Sequence, residues 1–396
     1  MQAYTFRLRP TTGQAETMRR FAGCCRFVWN KALEYEQKAY AETGKRLGYY
    51  KLTGLLVEWK KAGQTSFLAD AHAQILQQSL KDLDRAYTNF FEGRARLPKF
   101  KKKGQRDAFR YPQHFKLDEG NARVFLPKIG WVRYRKSRTT EGTPKQVTVS
   151  CSCGHWHVSI QTRRDCLVPA HPSQSKIGLD LGVASFAVDS SGIALHAPQP
   201  LKRYGKKLAK LQRQRARKQK FSSNYYKLSF KIQRLQKRIS DTRHDFLHKA
   251  STTLSKNHAL IVVEDLRIRN MTKSASGTLE KPGRNVRGKS GLNRAILDQG
   301  WGAFLGLLEY KLAWRGGELR RVPPHHTSQA CSLCGYTDPK NRVSRALFAR
   351  KSCGYANDAD LNAALNILAA GLAATACGAD RAQAAAVKQE PTRVAA

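Results

Sequence analysis

The opening segment AYTFRLRP alternates apolar and polar residues as a strand does, and a proline ends it. From about Thr11 to Phe91 the period lengthens to that of helices. TTGQAE offers a threonine cap, and Phe21, Cys25, Val28 and Trp29 fall on one helical face. Ile75, Leu76, Ser79, Leu80, Leu83, Tyr87 and Phe90 recur at three- and four-residue steps, with Gln77, Lys81, Asp82 and Arg85 opposite. LPKFKKKGQ is a basic linker. Residues 109–163 then read as short strands, VFLPKIGWVRYR, QVTVSCS and HWHVSIQT, separated by turn residues. A helical module is thus threaded between a first strand and a small β-domain.

Past residue 173 the pattern changes again. KIGLDLGVASFAVD predicts a strand, a glycine turn and a second strand. Residues 202–220 hold ten basic side chains in nineteen. Phe221, Tyr225, Leu228, Ile232, Leu235, Ile239 and Phe246 follow as an apolar stripe, which predicts a long helix or helical hairpin with a basic outer face. ALIVVEDL is a buried strand ending in two acids. Residues 272–293, rich in Gly, Ser, Lys and Arg, read as a flexible loop, and AFLGLLEYKLAWRG as an amphipathic helix. DADLNAALNILAAGL caps and starts a last helix, and the Ala-rich tail from about Gly378 is expected to be disordered.

Charge changes what this architecture is for. Among 396 residues, 71 Lys and Arg stand against 29 Asp and Glu, a formal net charge of +42. A compact fold with that excess repels itself unless a polyanion is present, and nucleic acid is the obvious one. Membrane attachment would want an apolar span, an amphipathic anchor or a lipidation signal, and none is seen. The first residues have no apolar signal core, so the expected compartment is the cytoplasm, which is reducing. Clustered cysteines among the nine then read as metal ligands or buried thiols.

The candidate chemistry sits in three acids. Asp180 lies inside the apolar strand IGLDLGV, where charge is costly unless paired or bound to a cation. Glu264 ends LIVVE. Asp360 stands at the start of an Ala- and Leu-rich helix. Any one alone has an ordinary explanation, an ion pair or a helix cap. Three together, on or beside core elements of a chain short of acids, suit hard divalent cations such as Mg²⁺ or Mn²⁺ and phosphodiester hydrolysis. Other clusters read as structural. Cys151, Cys153, His155 and His157 flank a turn, Cys24 and Cys25 sit in an apolar helix, and Cys166 and Cys377 have no partners at metal spacing. Tyr49, Tyr50 and Trp59 could stack on bases but read first as packing.

GLDLGV, LIVVEDL and DADLNAALNI, in this order, resemble the three active-site motifs of a RuvC-type nuclease with an RNase H-like fold. GLNRAILDQGWGAFLGLLEYK and PPHHTSQACSLCG, with CCRFVWNKAL and QQSLKDLDRAYTNFF, resemble the OrfB/TnpB proteins of bacterial insertion sequences, over Met1 to about residue 370. The resemblance implies kinship with compact type V CRISPR nucleases, a guide RNA derived from the transposon end, and cleavage of matching double-stranded DNA. It makes Asp180, Glu264 and Asp360 the metal-binding carboxylates, with Asp358 the competing choice for the third. It makes the basic residues Lys206, Lys207, Lys210, Arg213, Arg215 and Arg217 holders of the RNA–DNA duplex, and gives Gln77 and Lys81 contacts to guide or target. It also implies a zinc knuckle. Cys331 and Cys334 form one pair, but Arg350 stands where the second pair would begin, leaving Cys353. Zinc held with help from His325, His326, Asp338 or water, and three free or buried thiols, are both open readings.

The expected fold is multidomain, α/β plus β plus α. Residues 1–10 and 101–168 would form a wedge-like, barrel-like β-domain, and 11–100 a helical recognition module resembling a helix-turn-helix. Residues 174–324 and 355–377 would form the RNase H-like nuclease domain with a basic helical insertion at about 202–256, 325–354 the zinc-knuckle-like insert, and 378–396 the tail. The expected function is RNA-guided cleavage of double-stranded DNA by two-metal hydrolysis, in the cytoplasm at the bacterial nucleoid. The alternatives are a weak or inactive RNA-guided binder of the same family, a basic RNA-binding protein, or a strand-transferring transposase. The guide, the target-adjacent motif and the oligomeric state are not readable from the sequence.

Overall fold

A computed structural model describes residues 1–105, 107–164, 169–350 and 353–386, with side chains described to residue 373. The chain divides into two compact units, residues 1–166 and 167–396.

In the first unit, β1 (Gln2–Arg9) leads into α1 (Thr12–Thr43), α2 (Gly48–Lys61) and α3 (Ala73–Phe91). Six strands follow: β2 (Ala108–Tyr111), β3 (Lys116–Asp118), β4 (Arg123–Leu126), β5 (Gly130–Arg135), β6 (Thr143–Ser152) and β7 (His155–Arg163). The threonine cap forms. Thr11 accepts from the Gln14 amide at 3.3 Å, and the Gln14 side chain accepts from the Thr11 amide at 3.1 Å, a reciprocal capping box. The strands make one antiparallel sheet in the order β2-β6-β7-β1-β5-β4-β3, so β1 sits between strands more than 120 positions later in the chain. The period-2 face of β1, Tyr4, Phe6 and Leu8, shares one core with Phe21, Val28 and Leu80 of the helices. Cys24 and Cys25 are buried in that core as expected. The β6–β7 turn places Cys153 and Gly154 at φ 50° and 82°, a conformation glycine adopts without strain. Phe90 is only partly buried, so the α3 stripe ends at Tyr87.

The second unit is built on β8 (Lys176–Asp180), β9 (Ala187–Asp189), β10 (Ala194–Leu195), β11 (Leu260–Glu264) and β12 (Glu318–Val322), ordered β10-β9-β8-β11-β12. β8, β11 and β12 run parallel, while β9 and β10 are antiparallel. The helices are α4 (Pro200–Ala216), α5 (Ser223–Asn257), α6 (Ile268–Met271), α7 (Val286–Gln299), α8 (Trp301–Ala313) and α9 (Ala359–Ala386). A short hairpin, β13 (Leu347–Ala349) with β14 (Ala356–Asp358), precedes α9. On one face of the sheet Ile177, Leu179, Ile261 and Val263 pack against Leu247 and Leu254 of α5 and Phe304, Leu308 and Leu312 of α8. On the other, Leu260 and Val262 meet Ile367 of α9. The strands are therefore apolar on both faces, as parallel strands covered by helices must be.

One backbone approach sets the position of α9. A Cβ at Gly178 would collide with the Ala364 carbonyl oxygen and the Leu368 amide nitrogen, and one at Gly371 with the Val262 side chain. Only glycine lets helix and strand come this close.

Three expectations are corrected here. The segment 272–293 is not all loop, because α7 begins at Val286. Its Gly- and Lys-rich start hides the helix, which tertiary contacts supply: Lys289 donates to the Met271 carbonyl at 2.6 Å and Asn293 to that of Thr272 at 3.0 Å. Phe221 does not join the α5 stripe; it precedes the helix and is exposed. α9 continues to Ala386, into the segment expected as a tail; residues 387–396 lie outside the described residues. So does Cys166, and nothing is described of the Cys377 side chain. Among the described residues no helix is long and apolar enough to cross a membrane.

Replacing Gly178 with alanine should overpack this contact at a cost of about 1–3 kcal/mol, lowering the thermal midpoint by several degrees. Gly13→Ala, where the added methyl meets open space, should be neutral or stabilising. Thermal melts of both variants check this; an unshifted Gly178→Ala would refute the close-packing account.

Candidate active site

Strand alternation aims the acids. In β11 the residues facing α9 are Leu260 and Val262, so the next on that face is Glu264. In β8 Gly178 faces α9, so the next is Asp180. The parallel register pairs Val262 with Gly178 and Val263 with Leu179, which brings Glu264 and Asp180 to the carboxyl ends of neighbouring strands, side by side. Crevices at such strand ends are where open α/β sheets bind ligands.

The third acid comes from the first turn of α9. Asp358 and Asp360 compete for the role in the sequence, and the helix start separates them. The Asp358 carboxylate accepts the Asp360 and Leu361 amides at 2.9 and 3.0 Å. It is the helix cap. Asp360 is half-buried, and its carboxylate faces the Arg342 guanidinium at 3.4 Å. Burial, then the charges of Glu264 and Asp360, push the Asp180 carboxyl up to about 7, against a smaller opposing pull from Arg342. Burial also raises Glu264, while the Thr327 hydroxyl, donating to its Oε1 at 2.5 Å, lowers it. The burial and like-charge cost borne by Asp180 is one that a bound cation would relieve. The donors are all carboxylate oxygens, the type Mg²⁺ takes. They are not drawn onto a single point: among the described residues only the sulfurs of Cys331, Cys334 and Cys353 form a set of three ligand atoms all within 4.8 Å of one another.

Two of these residues went unremarked in the sequence. Thr327 is buried, and its carbonyl accepts from Asn366 of α9 at 2.8 Å. Arg342 lies in the insert between β12 and α9. The only signal was Thr327's place in the PPHHTSQACSLCG segment; nothing local marks Arg342.

The insert is fastened to the same helix turn. Asn362, fully buried, accepts from the Ser332 amide at 3.0 Å and donates to the Ala330 carbonyl at 2.8 Å. Cys331 packs with Phe348 and Ala359, and its sulfur lies 3.8 Å from that of Cys353. Hydrogen bonds from the Tyr336 backbone, and then from the Cys331, Cys353 and Arg350 side chains, bring the Cys334 thiol down to about 7. His325, His326 and Asp338 do not join the sulfurs. His326 faces Gln329 at 3.2 Å, and Asp338 accepts from the Lys340 amide at 2.8 Å.

The basic residues separate by element. Lys206, Lys207, Lys210 and Arg213 are exposed on α4, Arg217 is exposed at its C-terminal cap, and Arg215 is partly covered by the Tyr225 ring, 5.7 Å away. α4 is anchored beside the site's sheet by Asp298. That buried carboxylate accepts the Leu201 and Lys202 amides at 2.9 and 3.3 Å and pairs with Arg243 at 2.6 Å. A cavity of about 840 Å³ between α4 and α7 is lined by Lys202, Gln212, Arg294 and Arg345, and reaches Val183 just beyond Asp180. Gln77 and Lys81 are exposed on α3, in the other unit.

Comparison with known proteins adds the following. Residues 155–275 match the OrfB_IS605 family, described as probable transposase; residues 301–367 match the Cas12f1-like TNB domain; residues 1–45 match the OrfB helix-turn-helix domain. The chain is 54% identical to InsQ of Escherichia coli (strain K12), named as an RNA-guided DNA endonuclease, over all of this chain and 98% of that one. It is 36% identical to a protein of Streptomyces pristinaespiralis named in the same way, over all of this chain and 97% of the other. Its fold is similar to a chain in a cryo-EM structure of the Cas12f1–sgRNA–target DNA complex, with a TM-score of 0.56 at 15% identity, covering 90% and 83% of the two chains.

The Asp180 environment makes a stability prediction for the metal-free protein. Its folded pKa of about 7 lies above the ordinary aspartate value, so its contribution is present at low pH and lost as pH rises through 7. Asp180→Asn should therefore stabilise the chelated protein at pH 8, by on the order of 2–4 kcal/mol, with the gain vanishing towards pH 4. Adding Mg²⁺ at pH 8 should stabilise the wild type more than the variant. Melts in chelator and in Mg²⁺ test it, and a variant less stable than wild type in chelator at pH 8 would refute it.

Proposed function

This chain belongs to the OrfB/TnpB family of insertion-sequence proteins, and on that premise we propose that it is a transposon-encoded, RNA-guided DNA endonuclease that cuts with Asp180, Glu264 and Asp360. The observation that carries the reading is the convergence of the three acids where β8, β11 and the start of α9 meet, seen in the electrostatic coupling of Asp180 to the other two. A mixed sheet covered by helices on both faces, with acids at neighbouring parallel strand ends, supports an RNase H-like domain of RuvC type. The seven-stranded sheet of the first unit is taken as the wedge-like, barrel-like domain and its helices as the recognition module.

Asp180, Glu264 and Asp360 would hold Mg²⁺ or Mn²⁺. When bound, such ions activate water and stabilise the leaving oxygen of a phosphodiester. Asp180 must give up its proton to serve, so its raised pKa makes cation binding compete with protons. Thr327 fixes the orientation of Glu264 by occupying one of its oxygens. Arg342 balances Asp360 and is the cation beside the acids that would meet the negative charge of the scissile phosphate. The exposed basic face of α4 would hold the RNA–DNA duplex through its backbone, a contact that carries charge but no sequence. A second reading, a family member that binds without cutting, is favoured by one observation: Arg350 in place of a cysteine, in an insert tied through Asn362 to the turn bearing Asp360.

The experiment uses the protein purified with its co-expressed RNA, plasmid carrying a matched target, and Mg²⁺. Asp180→Ala, Glu264→Gln and Asp360→Asn should each lower cleavage by about a thousandfold or more while RNA-dependent DNA binding persists. Asp358→Asn should lose some stability and keep most of the cleavage. Wild-type binding without cleavage would install the second reading, and a dead Asp358→Asn beside an active Asp360→Asn would reverse the choice of third acid.

For α4, Lys206→Ala and Lys210→Ala should weaken nucleic-acid binding alike for all sequences. Each should reduce the salt dependence of log affinity by about one. An unchanged salt slope, read by titration at several salt concentrations, would remove α4 from the interface.

A further inference from the structure

The family resemblance implies a structural zinc in the insert between β12 and α9, and the donors present do not complete such a site. Structural zinc is held by four donors in a tetrahedron. Here three sulfurs cluster, and no His, Asp, Glu or further Cys joins them among the described residues. The spacing of the sulfurs is that of a metal cradle all the same. With Zn–S bonds of about 2.3 Å, two sulfurs of a tetrahedron stand about 3.8 Å apart, and Cys331 and Cys353 are separated by 3.8 Å.

Arg350, which stands where the fourth ligand would be in the sequence, lies against the knuckle. Its guanidinium carbon lies 3.7 Å from the centre of the Tyr336 ring, a stacked cation. Its positive side chain, beside Cys334, is one of the groups that lower that thiol, while its Nε is buried without a hydrogen-bond partner. Its backbone amide donates to the Tyr355 carbonyl at 2.8 Å, which fixes where the side chain departs. Tyr336 belongs to the other half of the knuckle, since its carbonyl accepts the Cys331 amide at 3.0 Å. Arg350 thus joins the two halves, as the metal does in a four-cysteine site. A guanidinium has no lone pair to offer a metal and keeps its charge at every accessible pH, so it cannot serve as the fourth ligand and repels a dication.

We propose that Arg350 takes the place of the metal: stacked on Tyr336 across the knuckle, it closes the three-cysteine cluster, and the wild-type chain carries no zinc there. The knuckle then holds its fold by stacking and hydrogen bonds, and through Asn362 it supports the turn that presents Asp360 without a metal of its own. This rests on the insert alone, so it stands or falls separately from DNA cutting.

The test is zinc content and melting of the full-length protein expressed in zinc-supplemented medium. Wild type should contain no zinc above background, and a high-affinity zinc chelator should leave its thermal midpoint unchanged. Arg350→Cys should acquire about one zinc ion per chain and a midpoint that falls on chelation. Arg350→Ala should melt lower than wild type without gaining zinc. Arg350→Lys should not restore the midpoint, because an ammonium lacks the planar face that stacks. One zinc per wild-type chain, with chelator-sensitive melting, would overturn the proposal. So would an Arg350→Cys variant that folds and takes up no zinc, or an Arg350→Ala variant that melts with wild type.

Discussion

The nuclease half of this protein depends on how closely α9 can lie on β8. Gly178 offers no side chain, so the helix backbone settles against the strand, and Gly371 does the same over Val262. That approach carries the first turn of α9 to the strand ends where Asp180 and Glu264 are already side by side. A methyl group at the contact would push the helix outward and take Asp360 with it. The burial of these acids, and for Asp180 the like charges of Glu264 and Asp360 besides, is unfavourable by itself, as the raised Asp180 and Glu264 carboxyls record. It is sustained by the apolar packing on both sheet faces.

The turn that begins α9 serves two structures at once. Asp358 caps the helix, Asp360 faces the other acids and Arg342, and Asn362 clasps the knuckle. These residues alternate along five positions of one helix start, so a distortion of the insert is felt by the carboxylate two residues away. Thr327 makes a second connection, bonding Glu264 through its hydroxyl and α9 through its carbonyl. The insert is therefore part of the active site's support, whatever holds the insert itself.

Charge is distributed to match. The protein carries a net +42, yet Asp180 and Glu264 stand at neighbouring strand ends, with Asp360 at the start of α9. One further acid, Asp298, is buried to cap α4 and pair with Arg243. A single carboxylate thereby fixes a helix with an exposed basic face in the unit that bears Asp180, Glu264 and Asp360. The membership of the chain in the OrfB/TnpB family fits this arrangement of an exposed basic helix and clustered acids.

The local pattern of the chain determined its elements and much of its site. Short continuous apolar runs marked the strands bearing Asp180 and Glu264, an apolar helix start marked Asp360, and the order of the three motifs marked the family. These are properties of neighbouring residues, and neighbours in sequence are enough to set them. The choice between Asp358 and Asp360 was not legible, because it depends on which carboxylate the helix amides claim. Nor were Arg342 and Thr327, whose partners lie 18 and 63 positions away, or the start of α7, whose glycines conceal a helix that Met271 and Thr272 complete. The sequence showed that Arg350 breaks the zinc pattern. Only the fold placed its guanidinium on Tyr336, because stacking across a knuckle is decided by packing between segments, on which local propensity is silent.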